Sequence, residues 1–116
     1  MFLTQGIDKC LWIYAPDDWQ RICDSLMEAT NVFQAQARMI KRRIIAPSQE
    51  TDFDKSGRIT VSPALREYAG LHKECVILGI RSYLEIWDEA TYREYWNVNE
   101  PEFQVAVEHI GKTLTP

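Results

Sequence analysis

The sequence has few cysteines and no pattern of metal-ligating residues. Its three cysteines, Cys10, Cys23 and Cys75, form no C-x-x-C motif, so neither a disulfide framework nor a zinc site is predicted. We expect them to be small buried hydrophobic residues. His72 and His109 have no Cys or His nearby at ligand spacing. No metal or other cofactor is therefore predicted.

Long apolar runs and catalytic motifs are also missing. The longest apolar stretches, such as residues 75–80, are far shorter than the roughly 20 residues of a membrane-spanning helix. Residues 1–3 are apolar but lack the basic flank and cleavage site of a signal peptide. No G-x-S-x-G, H-E-x-x-H or phosphate-binding glycine loop occurs. We expect a cytoplasmic protein that is not an enzyme, with no membrane partner and no small-molecule substrate.

Glycine and proline are scarce, with five of each, and basic charge is not in excess. With 46% hydrophobic and 11% aromatic residues among 116, the chain can bury the core of one compact domain. A net charge of −4 does not favour a polyanionic partner. Any role in nucleic-acid binding must therefore depend on a local basic patch.

Hydrophobic spacing and turn residues predict the elements in order. Pro16 begins one helix, Asn31 caps a second that continues to Ile44, and Gly70 ends a short third. Asp88 caps a fourth helix. The predicted strands are 3–6, 11–14, 76–80 and 84–87; the predicted helices are 16–29, 31–44, 63–69, 89–96 and 101–113; residues 51–61 are expected to be extended, with a turn at 55–57.

The beginning and the end of the chain resemble each other. A shift of about 73 positions superposes two hairpins that are each followed by a helix with an acidic first turn, which indicates an internal repeat. The same shift would send the turn near Asp54 to a position before Met1, so the front half of the first copy is expected to be missing. The aligned identities are Gly6 with Gly79, Ile7 with Ile80, Leu11 with Leu84 and Ile13 with Ile86.

The most distinctive motif lies at residues 54–66, which read DKSGRITVSPALR. Asp54 and Arg58 form a D-x-x-x-R motif, Gly57 precedes the arginine, and P-x-L-R follows. With EYAGL at 67–71 and LEIWDE at 84–89, this segment resembles the MraZ family of bacterial transcriptional regulators. The resemblance is specific over about 50–97 and weaker across 3–27.

The resemblance implies an α+β fold, an AbrB-like swapped-hairpin β-barrel with peripheral helices built from two repeats. It implies a nucleoid-associated repressor that assembles into rings and binds short direct repeats in the promoter of the division and cell-wall gene cluster. The D-x-x-x-R loops would contact DNA, chiefly the loop of the first repeat. That loop is the part that this chain is expected to lack.

We therefore predict a remnant of the first repeat over 1–48, a complete second repeat over 49–97 and a C-terminal helix or tail over 98–116. The missing strands would leave an open sheet edge, which favours self-association through a ring or strand exchange. The candidate DNA-contacting residues are Lys55, Arg58, Arg66, Arg42 and Arg43; the structural residues of the motif are Asp54, Gly57 and Pro63.

Other interpretations of these residues remain open. An Asp54–Arg58 pair can simply stabilise a turn, and Arg42 and Arg43 can lie on a solvated helix face. The spacing D-x-D-x-S-G from Asp52 imitates a calcium loop, but Pro63 occupies the position of the required Glu. The four tryptophans suit a core better than a base-stacking platform. The chain could also be an oligomerisation module without DNA binding, or bind a toxin through residues 100–116.

Overall fold

A computed structural model describes residues 1–29 and 33–114. Within them the chain has the expected α+β class, with a five-stranded antiparallel sheet in the order β3-β1-β2-β5-β4. The strands are β1 (Phe2–Gln5), β2 (Leu11–Tyr14), β3 (Gln49–Glu50), β4 (Cys75–Gly79) and β5 (Leu84–Asp88). The α-helices are α1 (Pro16–Ala29), α2 (Ala35–Ile40), α3 (Pro63–Ala69) and α4 (Glu89–Leu114).

The centre of the sheet joins the two hairpins through β2 and β5. A shift of 73 positions superposes the sequence of β2 on that of β5. Under this shift Trp12 corresponds to its own partner Glu85, and the pairs on either side of it exchange, so the pairing is symmetric about Trp12 and Glu85. The paired residues are Leu11 with Ile86, Trp12 with Glu85 and Ile13 with Leu84. The two hairpins are thus related by an approximate two-fold axis at the middle of the sheet.

The hairpin loops differ in length. The first hairpin has a five-residue loop between Gln5 and Leu11, and the second has a four-residue loop between Gly79 and Leu84. The shift of 73 therefore holds for β2 and β5 but becomes 74 for β1 and β4. Gly6 lies in a loop whereas Gly79 ends a strand, so their alignment in sequence is one residue out of step with the fold.

Helix α3 covers one face of the sheet. Ser62 caps it by accepting a hydrogen bond from the Leu65 backbone N–H (3.3 Å). Gly70, with φ of +60°, ends it as predicted. Pro63 occupies the first turn, where a missing N–H costs little. The helix buries apolar side chains against alternate residues of three strands: Leu65 and Ala69 pack with Leu3, Leu11, Ile13 and Ile86.

Helix α1 and the segment after α2 cover the opposite face. Trp19 stacks on Phe2 with ring centroids 5.6 Å apart and also contacts Tyr14. The Thr4 hydroxyl, fully buried, donates to the Ile44 carbonyl. Because successive strand residues point to opposite faces, β1 contributes Leu3 to one core and its neighbours to the other.

The second predicted helix differs in both its start and its form. Asn31, expected to cap it, lies outside the described residues, and α2 begins at Ala35. From Lys41 to Ile45 the helix widens into a π-helical turn, closed by a 3.0 Å bond from the Ala46 N–H to the Lys41 carbonyl. The widening accompanies the turn of the chain toward β3.

Residues 51–61 are less regular than expected. The strand β3 has two residues and ends at Glu50. In place of a strand ladder, the Gln49 side chain bridges the segment by donating to the Thr60 carbonyl (3.0 Å) and accepting from the Ser62 N–H (2.9 Å). One amide side chain here supplies the hydrogen bonds that a longer strand would have made.

Two predicted C-terminal helices form one. Helix α4 is continuous from Glu89 to Leu114 and contains Pro101, which sequence analysis placed at the start of a separate helix. A proline fits helical φ but removes one N–H donor, so the helix continues past it with one intrahelical bond fewer. The predicted boundary near residue 98 therefore lies inside a helix.

The cysteines follow the prediction in part. Cys10 is buried and Cys23 half-buried, but Cys75 is exposed at the start of β4, so the expectation of burial was wrong there. Burial and the nearby carboxylate of Glu85 raise the pKa of the Cys10 thiol to about 12. The Cys10 thiol is therefore unreactive at neutral pH.

Asp88 joins the start of α4 to the segment before β4. The side chain accepts from the backbone N–H of His72 (3.0 Å) and of Thr91 (3.3 Å), and it lies 3.2 Å from the His72 ring. Burial opposes ionisation, but these hydrogen bonds and the His72 ring outweigh it and lower the pKa of Asp88 below its ordinary value of 3.8.

Replacing Leu65 with alanine should destabilise the fold by about 2–5 kcal/mol, because its side chain is 1% exposed and fills the core under α3. Val98→Ala, at a position 68% exposed, should change the free energy of unfolding by less than about 0.5 kcal/mol. Chemical denaturation measures both. Similar losses for the two variants would contradict the described core.

Asp88→Asn should lower the melting temperature at pH 7. A carboxylate with a lowered pKa stabilises the fold above its unfolded-state pKa and loses that effect as the pH falls through the folded-state value. The difference between the native chain and the variant should therefore narrow below about pH 4. Thermal melts from pH 7 to pH 3 test this, with the exposed Asp24→Asn as control.

Candidate nucleic-acid interface

The segment 54–58 forms a small closed loop. The Asp54 N–H donates to the Arg58 carbonyl (2.8 Å), and the Gly57 N–H donates to the Asp54 carbonyl (3.0 Å). Oδ1 of Asp54 accepts from the backbone N–H groups of Ser56 (2.9 Å) and Arg58 (2.8 Å). Gly57 has φ of +78°, a conformation that glycine adopts without steric cost. The loop is therefore fixed by its own backbone and one carboxylate oxygen.

The second carboxylate oxygen of Asp54 forms an ion pair with the guanidinium of Arg58. Nε of Arg58 lies 3.4 Å from Oδ2, and the two side chains are 78% and 50% exposed. An exposed ion pair of this kind contributes about 0–1 kcal/mol. The loop therefore owes little to this ion pair, and a ligand anion could displace the pair at small cost.

The loop stands on the packed core. Ile59 and Val61, which follow it, pack against the cluster that contains Leu3 and Leu65. Before the loop, the Thr51 N–H donates to the Met1 carbonyl (2.8 Å) and extends the pairing of β3 with β1. Lys55 and Arg58 are thus exposed on a loop that is anchored on both sides.

Arg66 and Pro63 belong to the helix that follows. Pro63 has the structural position expected of it, in the first turn of α3. Arg66 is exposed in the last turn of that helix. Basic side chains therefore occur on the loop and on the next helix, separated by a short anchored segment.

The basic residues Arg42 and Arg43 lie elsewhere. Arg43 donates to the carbonyl of Ile7 (3.2 Å) and to the hydroxyl of Tyr68, and its guanidinium sits over the Tyr68 ring. It therefore contacts the loop after β1, whereas the 54–58 loop follows the strand that pairs with the start of β1. Arg42 is exposed on the π-helical turn. Arg43 is thus tied to the first hairpin loop and to α3, whereas Lys55 and Arg58 lie on the 54–58 loop.

Tyr68, for which no role was predicted, is a structural centre. Its hydroxyl donates to the Gly6 carbonyl (2.7 Å) while accepting from Arg43. This ties α3 and the π-helical turn to the first hairpin loop. The contacts join residues 25 and 62 positions apart, and no local pattern marks such pairs.

A second missed group surrounds Glu85. Its carboxylate accepts from the indole N–H groups of Trp12 (3.2 Å) and Trp87 (3.1 Å) and lies 3.8 Å from the Cys10 sulfur. The donors come from both hairpins and meet at the central Trp12–Glu85 pair. With Trp19 and Trp87 buried, two tryptophans have the core role that sequence analysis favoured.

The described residues give little support to metal binding or to a membrane-spanning helix. In the ranges 1–29 and 33–114, no three His, Cys, Asp or Glu side chains are grouped so as to hold a metal ion. The Asp54 oxygens of the calcium-like motif already accept from backbone N–H groups and pair with Arg58. No helix in those ranges combines the length and apolarity that crossing a bilayer requires.

Comparison with known proteins identifies the lineage. Residues 44–110 match a family model described as "MraZ protein, putative antitoxin-like". A protein of Treponema denticola named Transcriptional regulator MraZ is 43% identical over 112 residues, which is 97% of this chain and 78% of that protein. The chain belongs to the MraZ family. Two proteins with the same name, from two strains of Treponema pallidum, are 41% identical over 93% of this chain and 72% of their own length.

The region that matches the MraZ model includes the 54–58 loop, α3 and the second hairpin. The similarity to the Treponema proteins extends over nearly the whole chain, so it also includes most of the first hairpin and α1. Membership in the MraZ family, predicted from the 54–66 motif, is thereby confirmed. The family and the fold class agree, since the antiparallel sheet with peripheral helices suits an MraZ/AbrB-like fold.

Gly57→Ala should destabilise the MraZ-type loop by about 1–2 kcal/mol through backbone strain. A Cβ added at this position meets nothing within 4 Å, so a clash makes no contribution. Gly57→Asn, which tolerates positive φ better, should cost clearly less. Chemical denaturation compares the two variants, and equal losses would show that positive φ is not the constraint.

Proposed function

We propose that this chain is a DNA-binding transcriptional regulator that contacts DNA through the 54–58 loop. The observation that carries the proposal is an anchored loop with Lys55 and Arg58 exposed. Its context is a family whose curated members from Treponema are named transcriptional regulators. Asp54 and Gly57 shape the loop, and Arg58 makes the principal contact.

The chemistry of the loop suits base reading more than diffuse attraction. An arginine can donate two hydrogen bonds to O6 and N7 of guanine in the major groove, which is the commonest specific contact. Lys55 would neutralise a phosphate as a point charge, and Arg66 would do so from α3. The weak, exposed pairing of Arg58 with Asp54 keeps the guanidinium oriented until DNA replaces the carboxylate.

One such loop is too small to give strong binding. Two or three phosphate or base contacts give weak affinity at physiological salt, whereas several linked loops raise avidity. We therefore propose that the chain acts as an oligomer on short direct repeats. We propose as the target the promoter of the bacterial division and cell-wall gene cluster, where the protein would repress transcription from the cytoplasm, in association with the nucleoid.

We also propose that the chain contains two related units, residues 1–48 and 49–97. The symmetric pairing of β2 with β5 about Trp12 and Glu85 supports this division. A hairpin followed by a helix occurs in both units. The 54–58 loop belongs to the second unit.

A non-DNA-binding oligomerisation module is the second candidate. The Asp54–Arg58 pair and the net charge of −4 favour it, because an acidic chain repels polyanions at long range. In that case the loop would pack between subunits. The two candidates differ in the effect of removing the arginine.

Arg58→Ala should weaken binding to a direct-repeat promoter fragment by about 1–3 kcal/mol if the side chain reads a guanine. Arg21→Ala is the matched control, because Arg21 is 73% exposed and paired with Asp18 at 3.2 Å, much as Arg58 pairs with Asp54. Fluorescence anisotropy at low salt measures both. Equal affinity for the two variants would contradict the proposed contact, and no binding by the native chain would favour the module.

Lys55→Ala gives a separate measurement. Loss of one phosphate contact should reduce the magnitude of the negative slope of log affinity against log salt by about 1. It should also weaken binding to all sequences alike. The same substitution at Lys112, in the last turn of α4, should leave the slope unchanged. A slope unaffected by Lys55→Ala would place that side chain outside the contact.

A further inference from the structure

We infer that Gln49 is a positioning residue for the proposed DNA contact. Its side-chain amide sets where the 54–58 loop stands relative to the sheet and to α3, and it thereby sets the position of Arg58. This role rests on the proposed function, because it acts through Arg58. It adds a determinant of sequence specificity that lies outside the contact itself.

The Gln49 amide joins two points of the chain that follow the loop. Its Oε1 accepts from the Ser62 backbone N–H at 2.9 Å, and its Nε2 donates to the Thr60 carbonyl at 3.0 Å. A backbone N–H can only donate and a carbonyl can only accept, so these two partners determine the orientation of the amide. One bond therefore holds the segment that returns from the loop, and the other holds the residue that caps α3.

Gln49 is itself fixed to the sheet. It lies in β3, opposite the fully buried Leu3 of β1, and it is half-buried. Through this one side chain, the returning segment and the start of α3 are both tied to the same strand.

The returning segment has few other directional contacts. Within the described residues 49–62, no backbone hydrogen bond joins 50–53 to 59–61. The returning segment packs on the core through two apolar side chains, but apolar packing has no preferred direction. The Gln49 amide is therefore the polar contact that fixes the position of the loop over the core.

Loss of this amide should move the loop without opening it. The loop is closed by hydrogen bonds that Asp54 accepts from the backbone N–H groups of Ser56 and Arg58, and Gln49 takes no part in them. An arginine that donates two hydrogen bonds to guanine needs alignment to within about 0.5 Å, whereas a lysine attracts phosphate as a point charge. Displacement of the loop should therefore reduce sequence specificity more than general affinity for DNA.

Gln49→Met removes the donor and the acceptor while it keeps the length of the side chain and adds no charge. Affinity for a direct-repeat promoter fragment should fall by about threefold or more, and affinity for a scrambled fragment of the same length by less than about twofold. Fluorescence anisotropy at low salt measures both. Gln20→Met is the matched control, because Gln20 is an exposed glutamine of α1 that donates to Asp24 at 3.0 Å.

A double-mutant cycle tests whether Gln49 acts through Arg58. In the Arg58→Ala background, Gln49→Met should no longer change the ratio of the two affinities, because the group that it positions is absent. In NMR spectra of Gln49→Met, the Ser62 amide resonance should shift while those of Ser56 and Arg58 stay in place. That pattern would show a displaced loop on a folded chain.

Three results would overturn the role of Gln49: a Gln49→Met chain that unfolds, an equal loss of affinity for both fragments, or a loss of specificity that persists without Arg58. Each of them indicates general destabilisation. If Gln49→Met behaves like Gln20→Met while Arg58→Ala is defective, the proposed DNA contact stands and the role of Gln49 alone fails. If Arg58→Ala binds the promoter fragment as the native chain does, the proposed contact fails, and the role of Gln49 fails with it.

Discussion

The antiparallel pairing of β2 with β5 is the contact on which the rest of the structure depends. It joins two hairpins that are far apart in the chain, and an isolated hairpin is at best marginally stable in water. Leu11, Ile13 and Ile86 become buried on one face because the pairing places them side by side. On the other face, Glu85 accepts hydrogen bonds from one tryptophan of each hairpin. The pairing thereby provides both the floor for α3 and the frame on which the 54–58 loop stands.

The two carboxylate oxygens of Asp54 have different roles, one in the structure of the loop and one in the orientation of Arg58. Oδ1 closes the loop through backbone N–H groups, which persist whatever Arg58 contacts. Oδ2 holds the guanidinium in an exposed pair that contributes little to stability. The two interpretations of the D-x-x-x-R motif, a turn brace and a ligand contact, are therefore compatible. The carboxylate braces the turn mainly through one oxygen, and the arginine remains accessible to an anion.

Local sequence signals predicted the elements well where the residues that begin or end an element lie within that element or next to it. Pro16, Ser62, Pro63 and Gly70 set the ends of α1 and α3, and both helices were predicted with the bounds that the structure has. The errors arose at two other places. Helix α4 continues through Pro101, and the Gln49 side chain substitutes for a strand partner beyond β3.

The candidate site was predictable in part for the same reason. The loop residues are adjacent in sequence, so their motif shows the turn and its exposed cations. The basic residues at 42–43 could not be located relative to that loop from sequence, because their position depends on Tyr68 and on the first hairpin loop. Pairs of this kind are fixed only when α3 packs on the sheet.

The distribution of charge along the chain bears on the proposed function. The chain is acidic overall, yet basic residues concentrate at 38–43 and on the loop and helix of 55–66. Lys55 and Arg58 are exposed in the second of these segments. In a head-to-tail assembly each loop would repeat in the same orientation, whereas a two-fold contact would invert it. Loops that repeat in the same orientation match direct repeats in DNA, just as two-fold symmetric dimers match palindromes.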